Sequence, residues 1–281
     1  MKENCKVLLI CVSTFNYEKA IKEELESRGY DVDLYDEKPS NNTLAKGIIR
    51  LKKSLYGYYL NRYYRRIEST IYKKSYDFLF VVKGESIPLF FIESFKKRFP
   101  KALLLYYTWD SFKNNSNPLK YIHLFDRRFT FDPVDAKKYN LLFRPLFYLN
   151  EYSKIINKSN NQYKYDLLFL GTAHTDRYTI SNKIFEICKS YNLSYFQYYF
   201  IQGKLVFLYK RFFDKTFHYF NKDKVSFKAL TKNEILMLFD KSRVILDIHH
   251  NGQYGLTMRT FESLGSQKKL ITTNQDIKNY K

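Results

Sequence analysis

Short apolar runs recur along the chain, and each is followed by a stretch with helical spacing. The first run, Lys6–Val12, is apolar without alternation, which is typical of a parallel strand covered on both faces. Tyr17–Arg28 then has apolar residues at helical spacing, and Gly29 after it suits a helix C-cap. Asp31–Tyr35 reads as a second strand. The sequence therefore begins with a β-α-β unit.

The same alternation continues through both halves of the 281-residue chain. Further strands are predicted at Asp77–Lys83, Ala102–Thr108, Arg128–Phe131, Tyr165–Gly171, Tyr195–Phe200, Val225–Ala229, Arg243–His249 and Lys269–Thr273. Parallel strands joined by helices form open α/β sheets, so the pattern predicts two Rossmann-like α/β domains facing a cleft. We expect the N-terminal domain at residues 1–147, a polar linker at 148–163 and the C-terminal domain at 164–281.

The formal net charge of +20 has three interpretations. The first is a solvated basic surface in a Lys- and Asn-rich chain, and the second is attraction to an anionic membrane surface or to phosphorylated substrates. The third is nucleic-acid binding, but zinc-finger spacing, RNP-like motifs and basic zippers are absent, so we expect no specific nucleic-acid partner. The basic, Tyr-rich segment Arg50–Lys74 is the candidate for membrane docking, and Lys204–Phe220 has a similar composition. The alternative is a long helix packed by its tyrosines, with a solvated basic face.

The lack of an export signal and the pattern of cysteines favour a cytoplasmic location. The three cysteines form no Cys-x-x-Cys pair, which is typical of reduced thiols. No export signal is present, and no stretch reaches the roughly 20 apolar residues needed to cross a bilayer. We therefore expect a cytoplasmic protein, with peripheral binding at the inner face of the plasma membrane as an extension of that expectation.

The segment Ile248–Asn274 contains the most specific pattern, IHHNGQYGLTMRTFESLGSQKKLITTN. It predicts the end of a buried strand, a loop with Gly252 and Gly255, a helix from about Thr257 and another strand. Ligands of parallel α/β sheets bind at the carboxyl ends of strands. The first turn of such a helix offers N–H groups and partial positive charge, which suit a diphosphate.

Arg259 and Glu262 are three residues apart, so they share one helix face. The planar guanidinium suits phosphate oxygens, and the carboxylate can accept hydrogen bonds from two ribose hydroxyls. The alternative is a weak surface ion pair. Met258, Phe261 and Leu264 form the face that we expect to be buried.

The motifs GLTMRTFESLG, KKLITTN and, after the strand at Leu170, GTAHTDR resemble the donor-site region of GT-B glycosyltransferases of the group 1 type. The branch that they resemble most is found in bacterial capsule and lipopolysaccharide biosynthesis. The resemblance covers the C-terminal half, whereas the N-terminal half matches only in architecture. It implies a nucleotide-sugar as substrate, a separate acceptor domain, no cofactor and no metal. Only the seven residues Gln275–Lys281 follow the KKLITTN motif, so we expect a C-terminal domain truncated relative to that family.

The resemblance also implies roles for individual residues. Gly255 and Thr257 would face the phosphates, Glu262 the ribose, and Arg259 would assist the leaving diphosphate. Many retaining members have a second glutamate eight residues before the ribose glutamate, but Tyr254 stands there, so the stereochemical outcome stays open. The predicted donor-binding set comprises Gly171, His174, Arg177, His249, Tyr254, Gly255, Leu256, Thr257, Arg259, Glu262 and Thr273.

Several of these residues have simpler explanations. His174 and Arg177 follow a strand end, where they would contact phosphate or only cap a loop. His249 would contact sugar or diphosphate, and the histidines show no metal-ligand spacing.

An inverting transferase needs a general base for the acceptor hydroxyl. Asp110 and Glu85 follow strands of the N-terminal half and are the candidates, with helix capping or a turn as the alternative. The catalytic set is thus Asp110, Glu85 and Arg259.

These features predict a metal-independent, hexosyltransferase-like enzyme that transfers a sugar from a nucleotide-sugar donor to a surface-polysaccharide or lipid-linked glycan. Two alternatives stay open. One is a non-catalytic nucleotide- or glycan-binding protein derived from such an enzyme, and the other is a basic protein that binds membrane surfaces.

Overall fold

The computed structural model describes residues 5–39, 53–155, 163–173, 177–214, 217, 220–250 and 252–280. The chain divides into two compact units, Met1–Pro145 (unit 1) and Leu146–Lys281 (unit 2). Each unit holds one parallel sheet with helices between its strands. The prediction of two Rossmann-like α/β domains is confirmed.

Unit 1 is built on a six-stranded parallel sheet. Its strands are β1 Lys6–Cys11, β2 Asp31–Asp36, β3 Phe78–Val82, β4 Leu103–Thr108, β5 Arg127–Thr130 and β6 Leu142–Phe143. They lie in the order β2-β1-β3-β4-β5-β6, and every pair is parallel. The helices are α1 Tyr17–Ser27, α2 Lys53–Ile71, α3 Leu89–Arg98 and α4 Pro133–Tyr139.

Helix α2 occupies most of the basic segment that we considered for membrane docking. Tyr64 and Ile67 on one of its faces are buried in the core of unit 1. Arg62, Arg65 and Arg66 are exposed. The described part of the segment therefore packs by an apolar face and leaves these three arginines in solvent, as in the alternative interpretation, whereas residues 50–52 lie outside the described residues.

Unit 2 is built on a five-stranded parallel sheet. Its strands are β7 Tyr165–Thr172, β8 Tyr195–Phe200, β9 Val225–Ser226, β10 Ser242–Asp247 and β11 Lys269–Thr272, in the order β11-β10-β7-β8-β9. Its helices are α5 Asn150–Ser153, α6 Arg177–Ser190, α7 Lys204–Phe213, α8 Lys232–Asp240 and α9 Met258–Gly265. Within the ranges that the structure describes, no helix is long and apolar enough to cross a bilayer.

The segment expected to be a linker, 148–163, is partly packed into unit 2. Leu149, Tyr152 and Ile155 are buried, and the Tyr152 ring lies 5.2 Å from the Phe239 ring, measured between centroids. These three apolar residues, spaced three apart, form one face that packs against unit 2. The polar composition of the segment as a whole obscures this pattern in the sequence. Residues 156–162 of the expected linker lie outside the described part of the chain.

In each sheet, the strand order runs outwards in opposite directions from the first strand of the unit. In unit 1, β1 lies between β2 and β3, and in unit 2, β7 lies between β8 and β10. Ligands of open α/β sheets bind outside the carboxyl ends of the strands at such a switch point. The fold therefore marks the loops after β1 and β3 in unit 1, and those after β7 and β10 in unit 2.

Candidate functional site

A buried carboxylate joins the end of β10 to the start of α9. Asp247 Oδ2 accepts hydrogen bonds from Thr257 Oγ1 at 2.8 Å and from Thr260 Oγ1 at 2.7 Å. Thr257 is also the N-cap, because its Oγ1 accepts the Thr260 N–H at 3.2 Å. The N-terminus of α9 is thus fixed at the carboxyl edge of the sheet. Asp247 was missed in the sequence, although an aspartate within an apolar strand is a usable signal.

The loop before α9 is held from the other side. Asn274, which is buried just after β11, donates from Nδ2 to the carbonyl oxygens of Tyr254 and Gly255, both at 3.2 Å. Gly255 and Leu256 are buried, whereas the Tyr254 side chain is exposed. The predicted phosphate-facing backbone is therefore tied to two strand ends.

Arg259 and Glu262 form the ion pair that their spacing allows. Arg259 Nη1 lies 2.7 Å from Glu262 Oε2, and the guanidinium lies 5.0 Å from the centroid of the Phe239 ring. Glu262 is only 5% exposed, so the pair is shielded from solvent and is not the surface pair of the alternative interpretation. Removing one partner of a shielded pair leaves an uncompensated charge, which is costly.

The predicted buried face of α9 is wrong. Leu264 is 54% exposed, and Met258 and Phe261 are only partly buried. The residues of this helix that are buried are instead Thr260, Glu262, Ser263 and Gly265. This polar face can be buried because its hydroxyls are hydrogen-bonded, Thr260 to Asp247 and Ser263 to the Arg259 carbonyl at 2.7 Å.

Arg177 connects the two strands at the switch point of unit 2. Its Nε donates to the Ile248 carbonyl at 2.9 Å, and its Nη1 donates to Thr172 Oγ1 at 3.1 Å. Gly171 keeps this region open, because a Cβ there would lie 2.8 Å from the Phe169 ring. Arg177 therefore has a structural partner on each strand end. His174, the neighbouring candidate, lies outside the described residues.

His249 and Thr273, both predicted to bind the donor, lie together. The His249 N–H donates to Thr273 Oγ1 at 3.1 Å, and His249 Nδ1 lies 2.7 Å from the same oxygen. The Thr273 N–H in turn donates to the Asp247 carbonyl at 3.1 Å. The ends of β10 and β11 are thereby coupled through the same aspartate that holds α9.

In unit 2, the described candidates that follow strands and the start of α9 lie at the carboxyl edge of the sheet, whereas Arg259 and Glu262 lie in the first two turns of α9. A helix N-terminus and the guanidinium of Arg177 favour an anionic group there, and Glu262 can accept hydrogen bonds from hydroxyls. Among the described residues, no three His, Cys, Asp or Glu side chains are grouped to hold a metal ion. Metal independence stays a prediction.

Unit 1 contains a buried carboxylate that was missed in the sequence. Glu37, the first residue after β2, is fully buried and accepts hydrogen bonds from the N–H groups of Gly84 at 3.0 Å and Ser86 at 2.6 Å. Burial raises the pKa of Glu37 to about 7, although the hydrogen bond from Ser86 opposes this shift. Its place directly after a strand is the signal that would have found it.

Lys83, in the loop after β3, places its ammonium group beside both predicted general bases, Glu85 in the same loop and Asp110 in the loop after β4. Lys83, with a φ of +76°, places its Nζ 3.0 Å from Glu85 Oε2 and 3.7 Å from Asp110 Oδ2. Burial works against ionisation of Glu85, but the hydrogen bonds and positive charges of Lys83 and Lys38 together outweigh it, so the pKa of Glu85 lies below its usual range. A lowered pKa makes Glu85 a weaker general base.

Comparison with solved structures identifies the fold. No protein-family model matches the chain, and no curated protein sequence matches it. An α-glucosyltransferase in complex with UDP and a mismatched DNA 13-mer matches with a TM-score of 0.60 and 12% identity, over 95% of this chain and 79% of that one. This chain has the GT-B fold.

The UDP-GlcNAc 2-epimerase of Methanocaldococcus jannaschii matches with a TM-score of 0.55 and 15% identity, over 98% of this chain and 86% of that one. The corresponding epimerase of Neisseria meningitidis matches with a TM-score of 0.53 and 9% identity, over 98% and 92%. At these identities the likeness shows the GT-B fold alone.

Proposed function

We propose that this chain binds a nucleotide-sugar through unit 2 and transfers the sugar to a glycan or lipid-linked acceptor, without a metal ion. The observation that carries the proposal is the shielded Arg259–Glu262 pair on α9, whose start is fixed by Asp247 at the carboxyl end of β10. This arrangement supplies an acidic acceptor of hydrogen bonds, a cation and a helix N-terminus within one short segment.

Each group has a role in the proposal. The diphosphate lies against the backbone at Gly255 and Thr257, where the partial positive charge of the helix N-terminus is greatest. Glu262 accepts hydrogen bonds from the ribose hydroxyls, and Arg259 holds that carboxylate in place and stabilises the departing diphosphate. Asp110 takes the proton of the acceptor hydroxyl. The acceptor belongs to capsule or lipopolysaccharide synthesis, as the sequence motifs imply.

Uridine nucleotides are the first donors to test. Three of the solved structures that resemble this chain contain UDP or UDP-GlcNAc. Two of them are UDP-GlcNAc 2-epimerases, so epimerisation of a nucleotide-sugar is the second candidate function. An epimerase changes the sugar while it stays in the active site, whereas a transferase releases the nucleotide into solution when an acceptor is supplied.

Calorimetric titration of UDP, GDP and CMP into the full chain tests the donor site. We expect one nucleotide to bind, and Glu262→Gln to weaken it by about tenfold or more, because hydrogen bonds to a charged acceptor are lost. Glu186→Gln is the matched control, since Glu186 is an exposed glutamate of α6 in the same unit. The site assignment fails if no nucleotide binds below about millimolar concentration, or if Glu262→Gln binds as well as the control.

Nucleotide release from UDP-sugars, with and without a glycan acceptor, tests the reaction. We expect Asp110→Asn to lower kcat by about 10²–10⁴-fold while nucleotide affinity stays unchanged, because the base acts only on the acceptor. Asp31→Asn is the control, since Asp31 is also paired with a lysine but lies at the amino end of β2. Binding without turnover on any donor would favour the non-catalytic alternative, and a changed sugar without released nucleotide would favour epimerisation.

A further inference from the structure

Helix α7 presents its apolar face to solvent. Five large apolar side chains follow the helical spacing i, i+3, i+4, i+7 and i+8, namely Leu205, Leu208, Tyr209, Phe212 and Phe213. They are between 48% and 82% exposed. Phe207 is the buried residue of this helix, all of which the structure describes. We call these five side chains the outward stripe.

An outward stripe reverses the usual arrangement of a surface helix. The apolar face of such a helix normally packs on the core, and a contiguous exposed apolar patch marks an interaction surface. The periodicity is as regular as that of a packed helix, so the stripe is suited to a flat apolar environment lying along the helix.

The charged residues of α7 itself are all cations. The sequence of α7, KLVFLYKRFF, contains three cations and no acidic residue. Beside the helix lies a cavity of about 600 Å³, whose lining includes the cations Lys204, Arg211 and Lys222 and the aromatic residues Phe207, Phe220 and Phe227. Such a cavity suits an anionic group whose attached portion is apolar, such as a phosphate carrying a hydrocarbon ester.

Charge and chemistry select among the possible occupants. A second copy of this helix would bring three cations against three cations, which opposes self-association through this face. A nucleic acid would satisfy the cations but would leave the leucine and phenylalanine side chains without an apolar partner. An anionic bilayer satisfies both, because aromatic side chains favour the boundary between headgroups and acyl chains and cations are drawn to anionic headgroups.

We propose that α7 docks unit 2 on an anionic lipid bilayer. The outward stripe enters the boundary between headgroups and acyl chains, and the basic cavity receives the phosphate of a lipid headgroup. This proposal uses no residue of the candidate donor site and does not rest on the proposed function. It also relocates the expected membrane contact from α2, whose apolar face is packed, to α7.

Co-sedimentation of the full chain with vesicles tests the proposal. We expect binding to phosphatidylcholine vesicles that contain about a third phosphatidylglycerol, weaker binding as salt is added, and little binding to phosphatidylcholine alone. Phe212→Ser/Phe213→Ser should weaken binding by about tenfold or more, because two aromatic side chains no longer enter the bilayer. Lys204→Gln/Arg211→Gln should weaken it by about fivefold for each charge removed.

A matched control exists in unit 1. Tyr58 and Tyr59 on α2 are also exposed neighbouring aromatic residues, so Tyr58→Ser/Tyr59→Ser should leave vesicle affinity unchanged. Circular dichroism melts verify that each variant is folded. The proposal is overturned if the full chain does not bind anionic vesicles. It is also overturned if the Phe212/Phe213 variant binds them as well as the Tyr58/Tyr59 variant does, or if the Tyr58/Tyr59 variant loses binding instead. Light scattering offers one further refutation. The proposal fails if the full chain is a dimer in solution and the Phe212/Phe213 variant is a monomer.

Discussion

The hydroxyl of Thr260 allows the most direct test of how α9 is anchored to β10. Thr260 is fully buried, and its Oγ1 donates to Asp247 Oδ2 at 2.7 Å. Thr260→Val replaces the hydroxyl by a methyl group of nearly the same size, so the change removes one hydrogen bond and creates almost no cavity. Asp247 keeps the hydroxyl of Thr257 as a donor.

The magnitude follows from the charge and the burial of the acceptor. A hydrogen bond to a charged group contributes about 1.5–3 kcal/mol to stability. Asp247 is buried, so water does not replace the lost donor, and the upper part of that range applies. We therefore expect Thr260→Val to lower the free energy of unfolding of unit 2 by about 2–3 kcal/mol, a large share of the roughly 5–15 kcal/mol typical of a domain.

Urea unfolding followed by circular dichroism measures the global effect, and hydrogen exchange measures the local one. If α9 opens more readily by 2–3 kcal/mol, its amides exchange about 30- to 150-fold faster. Thr257→Val should cost more, about 3–4 kcal/mol, because it removes the N-cap as well as a hydrogen bond to Asp247. Thr179→Val, at an exposed position of α6, is the control and should stay within about 0.5 kcal/mol of the original chain. The reasoning is refuted if Thr260→Val behaves like Thr179→Val, or if Thr257→Val costs less than Thr260→Val.

Three further predictions concern other parts of the chain. The pKa of Glu37 is about 7 in the fold against 4.5 as its ordinary value, so the folded chain holds a proton that the unfolded chain releases between these pH values. The free energy of unfolding should therefore fall by about 3 kcal/mol as the pH rises through this window, and Glu37→Gln should abolish that fall in urea titrations at several pH values. Of the three thiols, Cys5 is exposed and the other two are buried, so native protein should show one fast equivalent in a thiol-reagent assay and three after unfolding. Gly265→Ala should destabilise unit 2 by about 1–3 kcal/mol in thermal melts, because its Cβ would clash with the ring of Tyr148. An unchanged melting temperature would contradict the close packing of α9 on that ring.

The order of strands and helices could be predicted because parallel strands covered on both faces leave unbroken apolar runs in the sequence. β3 lies within the predicted run Asp77–Lys83, and all of β10 except its first residue lies within the predicted run Arg243–His249. Hydrophobic patterning could not predict the packing of α9, because its buried face is made of hydroxyls, a carboxylate and a glycine whose partners come from distant positions. α7 misleads in the same way, because an apolar stripe implies burial and this one faces outwards.

The sequence predicted the donor-site segment better than the contacts inside it. Spacing alone put Arg259 and Glu262 on one face of a helix, and the two side chains do pair. Whether that pair is exposed or shielded depends on Phe239, from another helix, which no local pattern reveals. Glu37 was missed because its partners are the backbone N–H groups of a loop 47 and 49 residues away in sequence.

The central position of β7 has a consequence for how unit 2 is made. β7 and β8 are synthesised before β10 and can pair with each other at once. The other edge of β7 is paired only when β10 has been synthesised. Until then the apolar residues Leu167–Phe169 border an open strand edge, which invites pairing with other chains. The stretch from β10 to β11 therefore both carries the candidate donor site and closes the sheet. Any change that delays its folding should reduce the yield of native protein before it affects activity.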